Sequence, residues 1–221
     1  MTAFQGDFMK ILSCAIVALA VALMPFAARA ADHAPGADAE TKYQTLLAAA
    51  KAGVGPVDWT ALRYADADRP GFVPDRPNLD RNAMFKAMNA KDWQGALDLA
   101  NRVIDADFTD ALAHLVVSAA CRQLGRTDES AREGAIASGL LASIRTGDGK
   151  SFDTAFTVMA VREEYDLLLT MHVKLVRQSL NTHDNHQFDV MDTTDPTGAA
   201  VTYYFQIDRE WAAENRALMP H

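Results

Sequence analysis

Cysteine is scarce in this chain, which has two in 221 residues, Cys14 and Cys121. Cys14 lies in an N-terminal segment that we expect to be removed, so Cys121 would remain alone. One thiol cannot form an internal disulfide, and nothing here is a zinc pattern or a cysteine framework. We expect Cys121, which lies among small apolar residues of a helical segment, to be an inert part of the core.

Basic residues are fewer than acidic ones: the chain has 21 Lys and Arg, 29 Asp and Glu, and a net charge of −8. Without the first 30 residues, which carry Lys10, Arg29 and Asp7, the net charge becomes −9. No run of basic residues of the kind that binds phosphate backbones occurs. Nucleic acids and anionic membrane surfaces are therefore not expected as partners.

Familiar catalytic patterns are missing as well. The chain contains no G-x-S-x-G sequence, no H-E-x-x-H sequence and no Ser-His-Asp ordering. These patterns place a nucleophile or a metal ligand next to its catalytic partner. We therefore assign no catalytic residue and expect no cofactor.

The first 30 residues have the pattern of a secretory signal peptide. Lys10 precedes an apolar run from Ile11 to Phe26, and small residues close it at Ala28 and Ala30. We expect cleavage after Ala30, a periplasmic or secreted protein, and no stable membrane insertion after cleavage. An uncleaved anchor is the alternative, and the start stays open between Met1 and Met9.

Helical spacing dominates the next part of the chain. We expect a polar leader and a first helix over residues 31–57, with the helix ending at Gly53. Asp58 is placed as the N-cap of a second helix that begins at Trp59. A Pro-rich connection follows, and apolar residues then recur at helical spacing from Asn78 to Ile144.

An internal repeat lies within this helical region, residues 58–146. Residues 91–110 align with residues 125–144, so that Lys91 and Gly125 both fall at a turn between helices. The same alignment pairs Ala96 with Ser130. This period and these roles resemble the tetratricopeptide repeat. Because about two such repeats cannot make a stable array alone, other parts of the chain must cover them.

The C-terminal part, residues 147–221, is expected to supply that cover as a small sheet with one or two helices. Strands are predicted over residues 154–161, 174–180, 186–194 and 199–208, and helices over 162–171 and 209–218. In the last strand Tyr203, Phe205 and Ile207 alternate with polar residues. The predicted fold is α+β, with tetratricopeptide-like hairpins followed by a largely antiparallel sheet, in one integrated domain.

Residues Gly147 to Ser151 have the sequence GDGKS, which matches the last residues of the Walker-type phosphate-loop pattern. The full pattern needs a glycine where Ile144 stands, with a strand before the loop and a helix after it. Here the order of elements is reversed, which argues against a nucleotide site. We expect a structural turn in which Gly147 and Gly149 adopt positive φ, and an anion nest beside Lys150 is the alternative.

Several phrases in the C-terminal half follow this loop in a fixed order. They are Ala155-Phe156, Glu163-Glu164-Tyr165, Gln178-Ser179-Leu180, Phe188-Asp189, Tyr204-Phe205 and Ile207-Asp208. With GDGKS and the upstream DWTALRYA, they resemble the secreted bacterial family catalogued as domain of unknown function 4919. The resemblance spans about residues 58–210. It implies a helical repeat followed by a small sheet, and it implies no established activity.

Two functions are open from the sequence. The first is a non-catalytic interaction module for an unidentified protein partner. The second is a small-ligand binder or enzyme around the GDGKS loop, with a predicted ligand-binding set of Gly147, Asp148, Gly149, Lys150, Ser151, Glu163, Glu164 and Gln178. Glu163 and Glu164 are adjacent on a helix and point to different faces, so they do not form an acid/base pair by themselves.

The segment HDNHQFD is the one place where metal ligands are concentrated. It contains His183, Asp184, His186 and Asp189. Such residues are ordinary in a solvated hairpin turn, and no third well-spaced ligand accompanies the two histidines. We therefore assign no metal, with a transition-metal site as the alternative.

Overall fold

The structure is a computed structural model that describes residues 37–53, 55–75 and 78–218. The predicted signal peptide over residues 1–30 lies outside these residues. Within them the chain forms eight helices and four strands. No helix in this part of the chain is long and apolar enough to cross a membrane.

The helices come first and the sheet follows, as the predicted α+β class requires. The helical part contains α1 (Ala37–Ala52), α2 (Trp59–Asp68), α3 (Leu79–Asn89), α4 (Trp93–Ala106), α5 (Ala111–Gln123) and α6 (Thr127–Ile144). The second part contains β1 (Phe156–Thr157), α7 (Val161–Thr170), β2 (Lys174–His183), β3 (His186–Thr194), β4 (Ala200–Gln206) and α8 (Asp208–Leu218). The α+β prediction is therefore confirmed.

Four helices begin at polar capping residues that can be identified in the sequence. Asp58, Asn78, Asp92 and Asp110 precede α2, α3, α4 and α5, and each side chain accepts a hydrogen bond from the backbone N–H three residues on. Such caps satisfy helical N–H groups that have no partner within the helix. The predicted cap at Asp58 is confirmed.

Helices α3 to α6 pack against one another in chain order. Lys91 and Gly125, 34 positions apart, lie in the turns after α3 and α5 and have φ values of 60° and 76°. The positions that the repeat alignment pairs further on are all buried: Ala96, Val103, Ser130 and Ala137. Cys121 belongs to the same buried cluster, and burial raises the pKa of its thiol, as an inert core cysteine requires.

The four strands form one sheet in the order β1-β4-β3-β2. β2, β3 and β4 are antiparallel neighbours, and β1 runs parallel to β4. Tyr203, Phe205 and Ile207 are buried on one side of the sheet, as their alternation predicts. They pack with residues of α6 and α7, so that α7 contacts both the helices and the sheet.

The predicted strand over residues 154–161 is much shorter in the structure. Phe156 and Thr157 form the strand beside β4, and the Val158 N–H donates to the Gln206 carbonyl at 3.3 Å. Val158, Met159 and Ala160 are buried but irregular, and α7 begins at Val161. The β-branched and aromatic residues here are buried without forming a long strand. A short apolar run in a sequence indicates a buried segment, but it does not distinguish a strand from other buried structure.

Candidate ligand cleft

An open cleft lies where the loop after α2, the start of α3, the end of α4 and the N-cap of α5 meet Arg162 of α7. Its volume is about 640 Å³. Three guanidinium groups line it, from Arg69, Arg81 and Arg162, together with the carboxylates of Asp66, Asp80, Asp107 and Asp110. This size is within the range of pockets that hold small molecules or short peptide segments.

Two arginines of the cleft, Arg69 and Arg81, are fixed by carboxylates that lie deeper in the protein. Arg81 donates to Asp110 at 2.7 Å and to both oxygens of Asp166 at 2.6 and 2.7 Å. The Arg81 side chain is 20 % exposed, whereas those of Asp110 and Asp166 are 2 % and 9 % exposed. Arg69 is held in the same way by Asp66. At Arg69 and Arg81 the guanidinium group is therefore more accessible than its counter-charge, whereas the Asp107 side chain is 27 % exposed beside Arg162 at 16 %.

Two of the deeper carboxyl groups titrate near neutral pH. Burial raises the pKa of Asp66 to about 6, with repulsion from Asp107 adding to the effect and Arg69 opposing it. Burial likewise raises the pKa of Asp166 to about 6 against the pull of Arg81. Burial would also raise the pKa of Asp107, but Arg162 and hydrogen bonds from Thr109 outweigh it and lower that pKa. The charge beneath the arginines therefore changes around pH 6.

Apolar side chains lie beside these charges. Phe72, Val73 and Leu79 line the same cleft. Leu79 is 83 % exposed and Val73 is 38 % exposed. A rigid polar floor next to accessible apolar groups suits a ligand with both kinds of surface, and arginines already held in place lose little further entropy on binding.

The predicted ligand loop, residues 147–151, folds against the edge of β4. The N–H of Gly149 donates to the Thr154 carbonyl at 2.8 Å, and the N–H of Lys150 donates to Asp148 Oδ1 at 2.9 Å. The N–H of Tyr204 donates to the Gly149 carbonyl at 2.9 Å, which continues the pairing of β4 beyond β1. Two of the amides that an anion nest would use are thus already bonded, and binding of an anion by this loop stays a prediction.

The two glycines of the loop are needed for different reasons. Gly149 has φ +70°, as predicted, and a Cβ there would overlap the ring of Phe156. Gly147 does not have a positive φ, so that prediction is wrong. A Cβ on Gly147 would instead overlap the carbonyl group of Thr154, and close backbone approach is what excludes a side chain.

We expect Gly149→Ala to destabilise the fold more than Gly198→Ala. Both glycines have positive φ, but nothing lies within 4 Å of a Cβ on Gly198. Gly198→Ala should therefore cost about 1 kcal/mol from backbone strain alone, and the overlap with Phe156 should add about 1–3 kcal/mol. Urea unfolding measures both, and equal losses would show that the loop moves freely from β4.

Glu163 is in a buried ion pair with Arg63 of α2. Its carboxylate accepts from Arg63 Nε at 3.0 Å and from the N–H of Met159 at 2.8 Å. Arg63 also donates to the Thr157 carbonyl at 3.0 Å and to Ser143 at 3.3 Å. Arg63 therefore joins α2, α6, β1 and α7, and Glu163 has a structural partner outside the GDGKS loop.

Glu164 faces the other way, towards Asp189 of β3 and Glu210 of α8. Glu164 is fully buried, and neither of its carboxyl oxygens accepts a hydrogen bond. Burial, with repulsion from Asp189 and Glu210, raises the pKa of Glu164 to about 10. Burial likewise raises the pKa of Asp189, although the hydrogen bond from the Gln178 amide opposes this effect.

Gln178 is linked to this acidic group through Asp189. Its amide donates to Asp189 at 2.5 Å and accepts from the hydroxyl of Tyr165 at 2.6 Å. Glu164 and Gln178 are thus brought together, whereas Glu163 bonds to Arg63 and the GDGKS loop bonds to β4. The eight predicted residues are divided among these three environments, and their role in ligand binding stays a prediction.

The HDNHQFD segment forms a tight hairpin between β2 and β3. Asp184 and Asn185 occupy the turn, with φ values of 47° and 65°. His183 stacks on Phe152 with ring centroids 4.4 Å apart, and His186 Nδ1 lies 2.5 Å from Asp208 of α8. In the described ranges no three His, Cys, Asp or Glu side chains are grouped to hold a metal ion.

The residues that line the cleft were not identified from the sequence as site residues. They come from positions 66–81, 106–110 and 162, which only the fold brings together. One related signal was present. Arg63 follows Trp59 and Leu62 at the helical spacing of α2, so a charged residue occupies the apolar stripe. Such a residue must be paired when it is buried.

Comparison with known proteins identifies the family of the chain through a family model alone. No curated protein and no solved structure matched the chain. A scan against protein-family models matched residues 41–216 to the family described as Domain of unknown function (DUF4919). That match covers most of the chain and includes the cleft, the GDGKS loop and the sheet. The chain therefore belongs to this family of unknown function.

Proposed function

We propose that the protein is a non-catalytic, periplasmic or secreted interaction module that binds a segment of a partner protein in the cleft. The periplasmic or secreted location is supported by the signal-peptide pattern of residues 1–30. The binding role is supported above all by the cleft of about 640 Å³, which combines fixed guanidinium groups with accessible apolar side chains.

The helical part fits this role as a pair of tetratricopeptide-like hairpins. The 34-residue spacing of two left-handed turn residues, Lys91 and Gly125, supports the assignment. Repeat hairpins of this type pack side by side and expose a surface between them. We propose that residues 58–146 form this region, that residues 147–221 cover it, and that both belong to one integrated domain.

The choice of a protein segment over an enzyme substrate comes from the state of the cleft side chains. Arg69, Arg81 and Arg162 are each bonded to an aspartate, and these pairs fix the floor before any ligand arrives. A preformed floor of paired charges favours recognition of polar groups, while Leu79 at the rim provides apolar contact. Arginines that are already paired with aspartates suit the binding of a ligand better than the transfer of a proton or a chemical group.

Site-specific photo-crosslinking in the native cell envelope tests this proposal. A photoreactive residue at Leu79, which is 83 % exposed at the cleft, should capture a discrete protein partner. The control places it at Leu124, which is 39 % exposed at the end of α5, away from the cleft. A partner captured from Leu79 alone, and lost in the Arg81→Gln variant, supports the proposal. Equal capture from both positions, or none from Leu79, contradicts it.

A further inference from the structure

A second surface, separate from the cleft, is the free edge of β2. β2 is ten residues long and lies at the end of the sheet order, where β3 is its only neighbour among the described strands. Alternate residues of such an edge strand direct backbone N–H and C=O groups away from the sheet. Those groups can pair with one more strand.

Natural edge strands are protected against such pairing, and β2 is protected over only part of its length. Lys174 lies at its start, and the pairing with β3 is irregular between Leu175 and Arg177. Charge and irregularity both discourage edge pairing. From Arg177 to His183 the register with β3 is regular and contains no proline, so this half of the strand stays open.

Exposed apolar side chains accompany the open half. Leu180, paired with the buried Asp189 on the side that faces α7, is 54 % exposed. On α7, Tyr165 and Leu169 are 43 % and 60 % exposed, and the Tyr165 hydroxyl donates to Gln178 of β2. An added strand would therefore place every second side chain against an apolar ledge formed by Leu180 and Tyr165, with Leu169 one turn further along α7.

The charge of β2 is opposite to that of the chain. The strand contains Lys174, Arg177 and His183 and no acidic residue, while the whole chain has a net charge of −8. Arg177 pairs with Asp192 of β3 at 2.8 Å, but its side chain is 73 % exposed and stays accessible to a further acidic group. Antiparallel pairing with β2 of a second copy would bring basic residues of the two strands together, which is unfavourable. Acidic side chains on an added strand would instead be attracted to the basic side chains of β2.

We propose that the open half of β2 binds an extended segment of a partner protein in which apolar residues alternate with acidic residues. The apolar residues cover the ledge beside α7, and the acidic residues face the basic side of β2. The backbone of the segment extends the sheet by one strand, next to β2. This interface does not depend on the cleft and can be tested separately from it.

The probes are capped peptides of roughly nine residues, the length that matches one edge strand. One alternates valine and glutamate, a second alternates valine and lysine, and a third has the valines and glutamates of the first in two blocks. Fluorescence anisotropy measures binding, and hydrogen exchange locates it. We expect the alternating acidic peptide to bind about tenfold more tightly than the other two and to protect amides of β2.

Two variants separate this edge from the cleft. Leu180→Gln should weaken binding of the acidic alternating peptide by about tenfold, because it removes an apolar contact without adding a charge. Leu79→Gln, at the rim of the cleft, should leave this binding unchanged. Equal binding of all three peptides, protection elsewhere than β2, or a dimer of the protein that Leu180→Gln dissociates would overturn the proposal.

Discussion

Replacing Arg63 with methionine is expected to cost about 3–5 kcal/mol of stability, the usual result of leaving one member of a buried ion pair alone. The Arg63 side chain is 1 % exposed and that of Glu163 is 6 % exposed. Without Arg63 the Glu163 carboxylate loses its cation, while Ser143 and the Thr157 carbonyl lose a donor. Urea unfolding followed by circular dichroism measures the loss.

A matched variant separates burial from charge. Arg102 pairs with Asp80 in the same chemical way, but their side chains are 54 % and 41 % exposed. Arg102→Met should therefore change stability little, because solvent screens exposed pairs. A double variant, Arg63→Met with Glu163→Met, should recover much of the loss, since it removes both buried charges. Similar losses from Arg63→Met and Arg102→Met would contradict the role given to Arg63.

Glu164→Gln is expected to stabilise the protein, by about 2–4 kcal/mol at pH 8. Glu164 has a pKa of about 10 in the folded state against 4.5 when it is exposed. At pH 8 the folded protein must therefore hold a proton that the unfolded chain releases. Glutamine is neutral at every pH, so this cost disappears.

The same variant should change how stability depends on pH. Because the folded pKa is the higher one, the contribution of Glu164 is fully present below pH 4.5 and is lost as the pH rises towards about 10. Glu210, whose pKa burial raises to about 8, acts in the same direction. The native protein should therefore lose stability from pH 5 to pH 9, and Glu164→Gln should lose less.

Asp153 provides the control for this measurement. It is an exposed acid that does not act on the pKa of Glu164 or Glu210, so Asp153→Asn should keep the pH dependence of the native protein. Thermal unfolding from pH 5 to pH 9 compares the three proteins. A Glu164→Gln variant that is less stable at pH 8, or that keeps the full pH dependence, would show that Glu164 is not a buried neutral acid.

Local features of the fold could be predicted from the sequence because neighbouring residues determine them. The cap at Asp58 and the alternation in β4 each depend on a few adjacent positions. The length of β1 could not be predicted in this way. It ends at Thr157 because the buried residues that follow lead directly into α7, whose first N–H groups donate to Asp75.

The charged interior could not be predicted because its partners are distant in the sequence. Arg63 and Glu163 are 100 positions apart, and Arg81 and Asp166 are 85 apart. The sequence shows adjacent acids at Glu163 and Glu164 and favours a solvated helix end. The fold instead buries both, one against an arginine and the other against a second carboxyl group.

The cleft depends on the contacts through which α7 connects the helices to the sheet. Native-state hydrogen exchange in increasing urea tests most directly whether the two parts unfold together. Amides of α4 and α5 are compared with amides of β3 and β4. If Arg63, Arg81 and Arg162 tie these parts into one unit, the slowest amides of both sets will open with the same free energy and the same urea dependence. Sheet amides that exchange through an opening which leaves α4 and α5 protected would contradict a single unit and the cleft built on it.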